Sequence, residues 1–389
     1  MHGDSIIFSI FLIFTGAAIM ATVALYLRQA MLIAYLALGA ILGPWGLALV
    51  TDAELIQDIA RVGIIFLLFL LGLNLSPQKL YQLLRETTLV TIVCTIVFGG
   101  AGAVVAWFWG LPLVDILIIG ISASFSSTII GLKLLPTTVL HHRHTGEVII
   151  SVLLLQDLIA IISMLVIHGA GRDGLPLLDI ALLFVALPVV GAVAWAGQRW
   201  LILRLFLKFD RIQEYIFLIT IGWCLGIAQF AETMGLSYEI GAFVAGIAIA
   251  SSPISFYIAE SLKPLRDFFL IMFFFGLGAG FDIAAASAVI LPATIMGVGL
   301  LLLKPLVFRY LLVNQSETNE LAWETGFRLG QMSEFSLLIA FASQKAMLIS
   351  NDSFYIIQMA TIITFVASAY WIVARYPTPI ALNDKLRRD

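Results

Sequence analysis

Long uninterrupted apolar runs recur along the chain, and polar residues gather in the short joins between them. Many runs approach or exceed the ~20 residues that a helix needs to cross a bilayer. They predict thirteen spans, at about residues 5–27, 31–49, 59–76, 86–109, 113–136, 145–168, 177–202, 214–231, 236–252, 265–281, 287–312, 321–343 and 354–376. The fold class is therefore an all-α polytopic membrane protein.

Composition agrees with this interpretation. Apolar residues make up 61% of the chain and charged residues 12%, and a soluble domain has about twice that charged share. A soluble fold could not cover so much apolar surface. The joins carry turn residues such as GPWG at 43–46, and no long polar linker occurs, so we predict one transmembrane domain over residues 1–389. The net charge of −3 suggests no nucleic-acid partner.

The basic residues predict an orientation in the membrane. If the N-terminus lies outside, sixteen of the 21 Lys and Arg residues fall in inside loops and only three, Arg61, Arg172 and Lys345, in outside loops. This asymmetry follows the positive-inside rule and places the C-terminus in the cytoplasm. We expect a bacterial inner-membrane protein, with the lipid bilayer as its surroundings.

The two halves of the chain resemble each other. Residues 34–39 in span two are similar to 241–246 in span nine, and 69–73 in span three to 273–277 in span ten, at offsets of 207 and 204 residues. Repeat one would cover about 5–168, a connecting helix about 177–202, and repeat two about 214–376. A shift of seven spans gives opposite insertion, the inverted repeat of secondary transporters. Chance similarity of apolar helices is the alternative.

Asp157 is the clearest candidate for chemistry. It lies near the middle of span six, where an ionisable group is costly and therefore functional by default. A carboxyl group deprived of water is harder to ionise, so a proton and a small cation could compete for it. The alternative is an acid that only helps helices to pack. The neighbouring Gln156 could supply a neutral oxygen ligand to the cation, or form a plain interhelical hydrogen bond.

Two polar stretches predict breaks in membrane helices. Span five contains SASFSST at 122–128, whose hydroxyl groups compete for backbone hydrogen bonds. Ser126, Ser127 and Thr128 could therefore offer oxygens to a cation, or could simply allow close packing. Span twelve contains RLGQMSEFS at 328–336, which also suggests a broken helix. Two facing broken helices would bring half-helix ends near Asp157.

Three charged residues inside spans are candidates for charge compensation. Glu334 suits the N-terminus of a half-helix, where the helix dipole is positive. Lys304 lies too deep in span eleven to reach the membrane surface, so it should face a carboxylate or a broken-helix C-terminus. Arg328 begins the polar stretch of span twelve. For all three residues a purely structural ion pair or hydrogen bond is the alternative.

Several motifs, in the same order along the chain, resemble those of the monovalent cation:proton antiporter-2 family. Within that family they resemble the Kef-type potassium efflux antiporters. The matching segments are 39–44 (GAILGP), 69–73 (FLLGL), 126–128 (SST), 155–157 (LQD), 235–237 (GLS), 241–246 (GAFVAG), 264–269 (PLRDFF) and 330–335 (GQMSEF). Singly they are weak, but together they cover nearly the whole chain.

The resemblance implies a sodium/proton antiporter-like fold of thirteen helices, with crossing broken helices in spans five and twelve. It also implies a homodimer with a dimerisation domain and a mobile core. Asp157 matches the ion-carrying aspartate, Gln156 a position that favours potassium, and Lys304 a basic residue of many members. Asn74 departs from the glutamate common in the family. Kef-type proteins continue into a cytoplasmic regulatory domain, whereas this chain stops at Asp389.

We therefore predict a secondary active exchanger of monovalent cations and protons, K⁺/H⁺ in the first place, working by alternating access. A Na⁺/H⁺ antiporter, a gated potassium channel-like pathway and, less favoured, a sodium-coupled organic anion symporter are alternatives. The chain contains no Walker motif, dinucleotide-binding turn or hydrolase motif. We accordingly expect no enzymatic activity and no cofactor, and the only metal we expect is a monovalent cation at Asp157.

Overall fold

A computed structural model describes residues 6–27, 29, 31–50, 53–74, 77–134, 144–170, 177–209, 212–250, 252, 254–282 and 287–378. The side chains of some helical residues, Asn74 among them, lie outside this description. The helices of the first half are α1 Ile6–Tyr26, α2 Met31–Leu42, α3 Ala53–Asn74, α4 Pro77–Phe108, α5 Leu113–Ser124, α6 Thr128–Lys133, α7 His144–Ala170 and α8 Leu177–Gly197.

A π-helical turn at Gln198–Ile202 extends α8 directly into α9, Leu203–Phe209. The helices that follow are α10 Gln213–Thr233, α11 Tyr238–Ala250, α12 Ser255–Ser261, α13 Lys263–Ala279, α14 Ile290–Asn314, α15 Asn319–Arg328, α16 Glu334–Lys345 and α17 Asn351–Arg375. Span seven is therefore longer than the predicted 177–202, because no residue of the π turn stops the helix.

Every one of the thirteen predicted spans overlaps a helix of the described residues. Seven of those helices are long and apolar enough to cross a membrane on their own. The remaining spans contain shorter or less apolar helices, and spans five and twelve are each divided into two. Span two ends earlier than predicted, at Leu42, because Gly43 and Pro44 lead the chain into tight turns.

The chain divides into two compact units that each draw on both halves of the sequence. The first unit comprises Met1–Thr15, Leu38–Gln82 and His168–Gly280. Within it α3 packs on α11, where a Cβ at Gly72 would overlap the Phe243 carbonyl and a Cβ at Gly246 the Phe69 carbonyl. Glycine is required at both positions because the two backbones touch.

A second close approach in this unit mirrors the first. Gly39 of α2 lies so close to α13 that a Cβ would overlap the Phe275 carbonyl. In the predicted repeat, span two corresponds to span nine and span ten to span three. The contact of α2 with α13 is therefore the counterpart of the contact of α11 with α3. This reciprocity is what two equivalent repeats would produce.

The second unit comprises Gly16–Ala37, Leu83–Ile167 and Phe281–Asp389, and it holds every charged and polar residue singled out in spans five, six, eleven and twelve. Small residues again bring helices together: Gly120 of α5 lies against the backbone of α4 at Gly99, and Gly326 of α15 against Pro305 of α14. These contacts fix the two divided helices beside α4 and α14.

Candidate functional site

Both predicted helix breaks are present. The first separates α5 from α6 at residues 125–127, where Phe125 is extended, with φ −87° and ψ 154°. The second separates α15 from α16 at residues 329–333, and Ser333 caps α16 by accepting a hydrogen bond from Phe335 N. The hydroxyl-rich sequence at each point supplies side-chain partners for backbone groups that a continuous helix would pair internally.

The two breaks bind each other directly. Ser126 Oγ donates to the Leu329 carbonyl at 2.8 Å, and Ser336 Oγ donates to the Ser122 carbonyl. Gln331 Nε2 donates to the Arg328 carbonyl at 2.8 Å and more weakly to the Ser127 carbonyl at 3.5 Å. The broken helices therefore meet at their breaks, as the sequence predicted, and form one hydrogen-bonded junction.

Lys304 lies where C-terminal half-helix ends meet. Its side chain is fully buried, and Nζ donates to the Phe125 carbonyl at 2.6 Å, to the Gln331 carbonyl at 2.9 Å and to Ser126 Oγ at 3.3 Å. Nζ also lies 5.2 Å from the centre of the Phe98 ring. Because the C-terminal end of a helix carries partial negative charge, an ammonium group here stabilises both breaks. This geometry fits charge compensation at a broken-helix C-terminus.

Glu334 occupies the opposite kind of end. It is the first residue of α16, it is buried, and Oε1 accepts a short hydrogen bond from Thr128 Oγ1 at the start of α6. Ser333 Oγ lies 3.5 Å from Oε2. A carboxylate at the positive end of a helix is favourable. The candidate site therefore has a cation at its C-terminal helix ends and an acid at its N-terminal ends.

Asp157 on α7 differs from Lys304 and Glu334 in its hydrogen bonding. Only 1% of its surface is exposed, and Oδ2 has no hydrogen-bond partner among the described residues. A buried carboxylate oxygen without a partner is unfavourable unless a proton or a cation binds to it. The arrangement therefore suits the reversible binding of a positive ion.

The Gln156 side chain hydrogen-bonds the backbone at the first break. Its Oε1 accepts from Ser126 N at 3.0 Å, and its Nε2 lies 3.4 Å from the Ser124 carbonyl. Both ends of the amide therefore replace backbone hydrogen bonds that α5 and α6 lose at the break. Of the two hypotheses drawn from the sequence, this geometry favours the structural hydrogen bond over direct cation binding.

Replacing Gln156 by alanine is therefore expected to lower stability more than it changes ion selectivity. The buried Ser126 N–H would lose its partner, at a cost of about 1–3 kcal/mol in the free energy of unfolding. Thermal unfolding in detergent measures the change. Ser163→Ala is the matched control, because Ser163 Oγ bonds only the Ile159 carbonyl within the same helix. An unchanged unfolding temperature with altered selectivity would show instead that the amide contacts the cation.

The hydroxyl groups predicted as ligands already have partners. Ser126 binds Leu329 and Lys304, Ser127 Oγ accepts from Ile130 N at 3.1 Å, and Thr128 binds Glu334. The structure brings these residues together at the first break. A hydroxyl oxygen that already donates can still accept, so coordination would use the remaining lone pairs or the carbonyls of the break.

The Arg328 guanidinium forms no hydrogen bond with Asp157, Lys304 or Glu334 among the described residues. Its buried guanidinium binds the Glu324 carboxylate, the Leu134 carbonyl at 3.0 Å and the Pro377 carbonyl at 2.8 Å. Of the two hypotheses drawn from the sequence for Arg328, these contacts favour the structural ion pair over charge compensation at the site.

Sequence reasoning missed one polar face. On α17, Thr364 Oγ1 accepts from Met332 N at 3.0 Å, and Ser368 Oγ donates to Gln331 Oε1 at 2.8 Å. Their partners, Met332 and Gln331, both lie in the second break. Thr361, Thr364 and Ser368 are three and four residues apart, the spacing of one helix face. That spacing within an apolar run is the signal that could have found them.

Asp115 was missed as well. It is buried in the first turn of α5, and Oδ2 accepts from Ser350 N at 3.1 Å and from the hydroxyls of Ser350 and Ser353, each at 2.6 Å. Ser350 is the N-cap of α17. With three donors, this carboxylate joins the start of α5 to the start of α17, and it differs from Asp157 in being well paired.

Comparison with known proteins decides the family. The model of the transmembrane sodium/hydrogen exchanger family matches residues 10–374. The chain belongs to the sodium/hydrogen exchanger family. The glutathione-regulated potassium-efflux system proteins KefC of Klebsiella pneumoniae (strain 342) and Salmonella typhi are 29% and 30% identical to this chain over 376 and 373 residues. The resemblance to Kef-type antiporters is confirmed.

The alignments cover 93% of this chain but 59% of each relative, so the chain spans less than two thirds of their length. Among solved structures, the sodium proton antiporter MjNhaP1 from Methanocaldococcus jannaschii superposes with a TM-score of 0.71 at 15% identity. The match covers 93% of this chain and 94% of that chain, and it confirms the predicted sodium/proton antiporter-like fold. The transmembrane family model and the apolar helices confirm an integral membrane protein.

Proposed function

We propose that this exchanger moves potassium in one direction and protons in the other, with Asp157 as the binding group that both ions share. The observation that carries the proposal is the buried Asp157 carboxylate, whose Oδ2 has no partner within the described part of the chain. One acid can be neutralised by a proton or by a cation. Alternation between the two ions, as Asp157 faces one side of the membrane and then the other, is antiport.

The surrounding charges support the binding of one positive ion at a time, a proton or a cation, at Asp157. Lys304 is held by two carbonyls and a hydroxyl, and Glu334 by Thr128 and Ser333. These groups already compensate the helix ends, so Asp157 is left as the acid whose charge varies.

Potassium is favoured over sodium by the named relatives. The KefC relatives are described as potassium-efflux proteins, and their alignments cover nearly this whole chain. Gln156 agrees with the Kef-type resemblance at its position, but its amide holds the first break, so it serves here as a mark of the family and not as a cation ligand. The family model itself is named for sodium and hydrogen exchange, so a Na⁺/H⁺ antiporter is the second candidate.

The membrane setting follows the charge distribution. The excess of Lys and Arg in alternate loops supports an N-terminus outside and a C-terminus in the cytoplasm of a bacterial inner membrane. The family resemblance supports a homodimer in which the unit holding the broken helices carries the ion. A regulatory domain or subunit would act from the cytoplasm. Nothing in this function requires an enzymatic step or a cofactor.

Purified protein in sealed liposomes loaded with potassium tests the proposal. With a pH dye inside and no protonophore, an outward potassium gradient is expected to drive protons inwards and acidify the interior. A potassium channel would create a voltage, and protons would follow only after a protonophore is added. Equal or faster acidification with sodium would transfer the assignment to Na⁺/H⁺ exchange. Dependence on an added organic anion would indicate symport and overturn the proposal.

A further inference from the structure

The guanidinium of Arg328 binds three separate stretches of chain at the end of the second unit where α17 terminates. Nε and Nη2 bind Glu324 one turn back on α15, Nη1 donates to the Leu134 carbonyl just after α6, and Nη2 donates to the Pro377 carbonyl after α17. None of the Arg328 surface is exposed. One side chain therefore holds an end of each broken helix and the segment that leaves the last helix.

The segment Tyr376–Thr378, here called the exit segment, is packed onto α15. The Tyr376 ring lies 5.6 Å from the Arg328 guanidinium and 6.1 Å from the Phe327 ring, and Phe327 stacks on Trp371 at 5.2 Å. Thr378 is completely buried. A segment beyond the end of a final helix usually has few such contacts. This one is held by a charged hydrogen bond and by aromatic packing.

A short chain of hydrogen bonds links the exit segment to the candidate site. The Arg328 carbonyl accepts from Gln331 Nε2 at 2.8 Å, and the Gln331 carbonyl accepts from Lys304 Nζ at 2.9 Å. Lys304 in turn holds the first break through the Phe125 carbonyl. A shift of the exit segment that removes the Pro377 carbonyl would therefore disturb a network that ends on both breaks.

Guanidinium geometry makes this coupling specific. The planar fork of arginine presents five donors in fixed directions, and here they point to a carboxylate and two carbonyls on different segments. A lysine ammonium is a single donor point, whereas the guanidinium spreads these bonds over three nitrogens, Nε, Nη1 and Nη2. Because the buried guanidinium has no water to replace a lost carbonyl, the exit segment and the half-helix ends are held in one mutual arrangement.

We propose that Arg328 is a positioning residue that latches the exit segment to the broken helices, and that release of this latch slows transport. The proposal rests on the proposed exchange function, and it gives the exit segment a part in holding the broken helices in the arrangement that transports. The latched arrangement is the active one, because it keeps the ends of both broken helices fixed beneath the junction that binds Lys304.

Accessibility of Thr378 tests the latch without any measurement of transport. The two native cysteines, Cys94 and Cys224, are fully buried and are replaced by alanine. Thr378→Cys is then expected to react slowly with a membrane-impermeant maleimide, and roughly tenfold faster when Arg328→Gln is added, because the segment opens. Arg309→Gln on α14 is the matched control: its guanidinium also contacts α15, at Asn319 and over the Trp323 ring, but it has no hydrogen bond to the exit segment among the described residues. Equal labelling with and without Arg328→Gln would overturn the latch.

Exchange measured in liposomes tests whether release of the latch slows transport. Arg328→Gln is expected to lower the maximal exchange rate about fivefold while the apparent KM for potassium changes less than about twofold. Maleimide attached at Thr378→Cys should slow the protein with Arg328 intact, and should have no further effect once Arg328 is replaced. If Arg328→Gln does not fold, Arg328→Lys, which keeps the charge, is used, with an intermediate labelling rate expected. Additive effects of the label and the substitution would overturn the proposal, whereas loss of exchange in all variants including Arg309→Gln would concern the proposed function alone.

Discussion

Asp157→Asn is expected to reduce potassium–proton exchange roughly 100-fold or more. Asparagine has nearly the shape of aspartate, but it neither releases a proton nor carries the charge that a cation neutralises. The acidification of potassium-loaded liposomes measures the loss. Asp352→Asn on α17 is the matched control, because its carboxylate is exposed and should not affect the rate.

The same substitution should leave stability nearly unchanged. Oδ2 of Asp157 has no partner to lose among the described residues, so the free energy of unfolding should change by less than ~1 kcal/mol. Added potassium should stabilise the unsubstituted protein by mass action, by about 2.7 kcal/mol at 100 times Kd, and should not stabilise Asp157→Asn. A variant that still exchanges ions, or is still protected by potassium, would place the binding group elsewhere.

Hydropathy alone was sufficient for most of the helices. The run at 145–168 matches α7, His144–Ala170, closely, because a bilayer sets the length that an apolar helix needs. Boundaries were less certain where turns are apolar, and the predicted span 31–49 overran α2 because Leu47 and Leu49 lie in the turns after Gly43. Hydropathy does not distinguish an apolar turn at the membrane surface from a helix.

The candidate site was predictable as a set of residues but not as a set of bonds. Asp157, Lys304 and Glu334 each stood out as a charge within an apolar run. Their partners come from distant positions, such as Thr128 for Glu334 and Phe125 for Lys304, separated by 206 and 179 residues. Such pairs depend on how the helices pack, and no local pattern in the sequence records it.

The assignment of partners changes how the charges should be understood. From the sequence, Lys304 could have faced a carboxylate or a broken-helix end, and the structure shows it bound to carbonyls at the breaks. Glu334 lies at the start of α16, so the two charges stabilise opposite ends of half-helices. Compensation of the helix dipoles and binding of the transported ion are thus separate tasks, and they should respond differently to substitution.

Lys304→Met is expected to differ from Asp157→Asn in causing a large loss of stability as well as a loss of exchange. Methionine fills similar space but leaves the buried Phe125 and Gln331 carbonyls without their donor. At about 1–3 kcal/mol for each unpaired group, the free energy of unfolding should fall by roughly 2–6 kcal/mol. Thermal or denaturant unfolding of the purified protein measures it, and exchange should fail because the breaks lose their shape.

Two control variants test whether the loss of stability in Lys304→Met comes from removing the positive charge at the breaks. Lys304→Arg keeps a cation in place and should recover part of the lost stability, whereas Lys345→Met removes an exposed lysine near the end of α16 and should change the free energy of unfolding by less than ~0.5 kcal/mol. If Lys304→Met were as stable as the original protein yet inactive, Lys304 would act on the transported ion and not on the helix ends. If Lys304→Met loses stability and Asp157→Asn does not, then Lys304 maintains the junction of the two breaks, whereas Asp157 exchanges its ion.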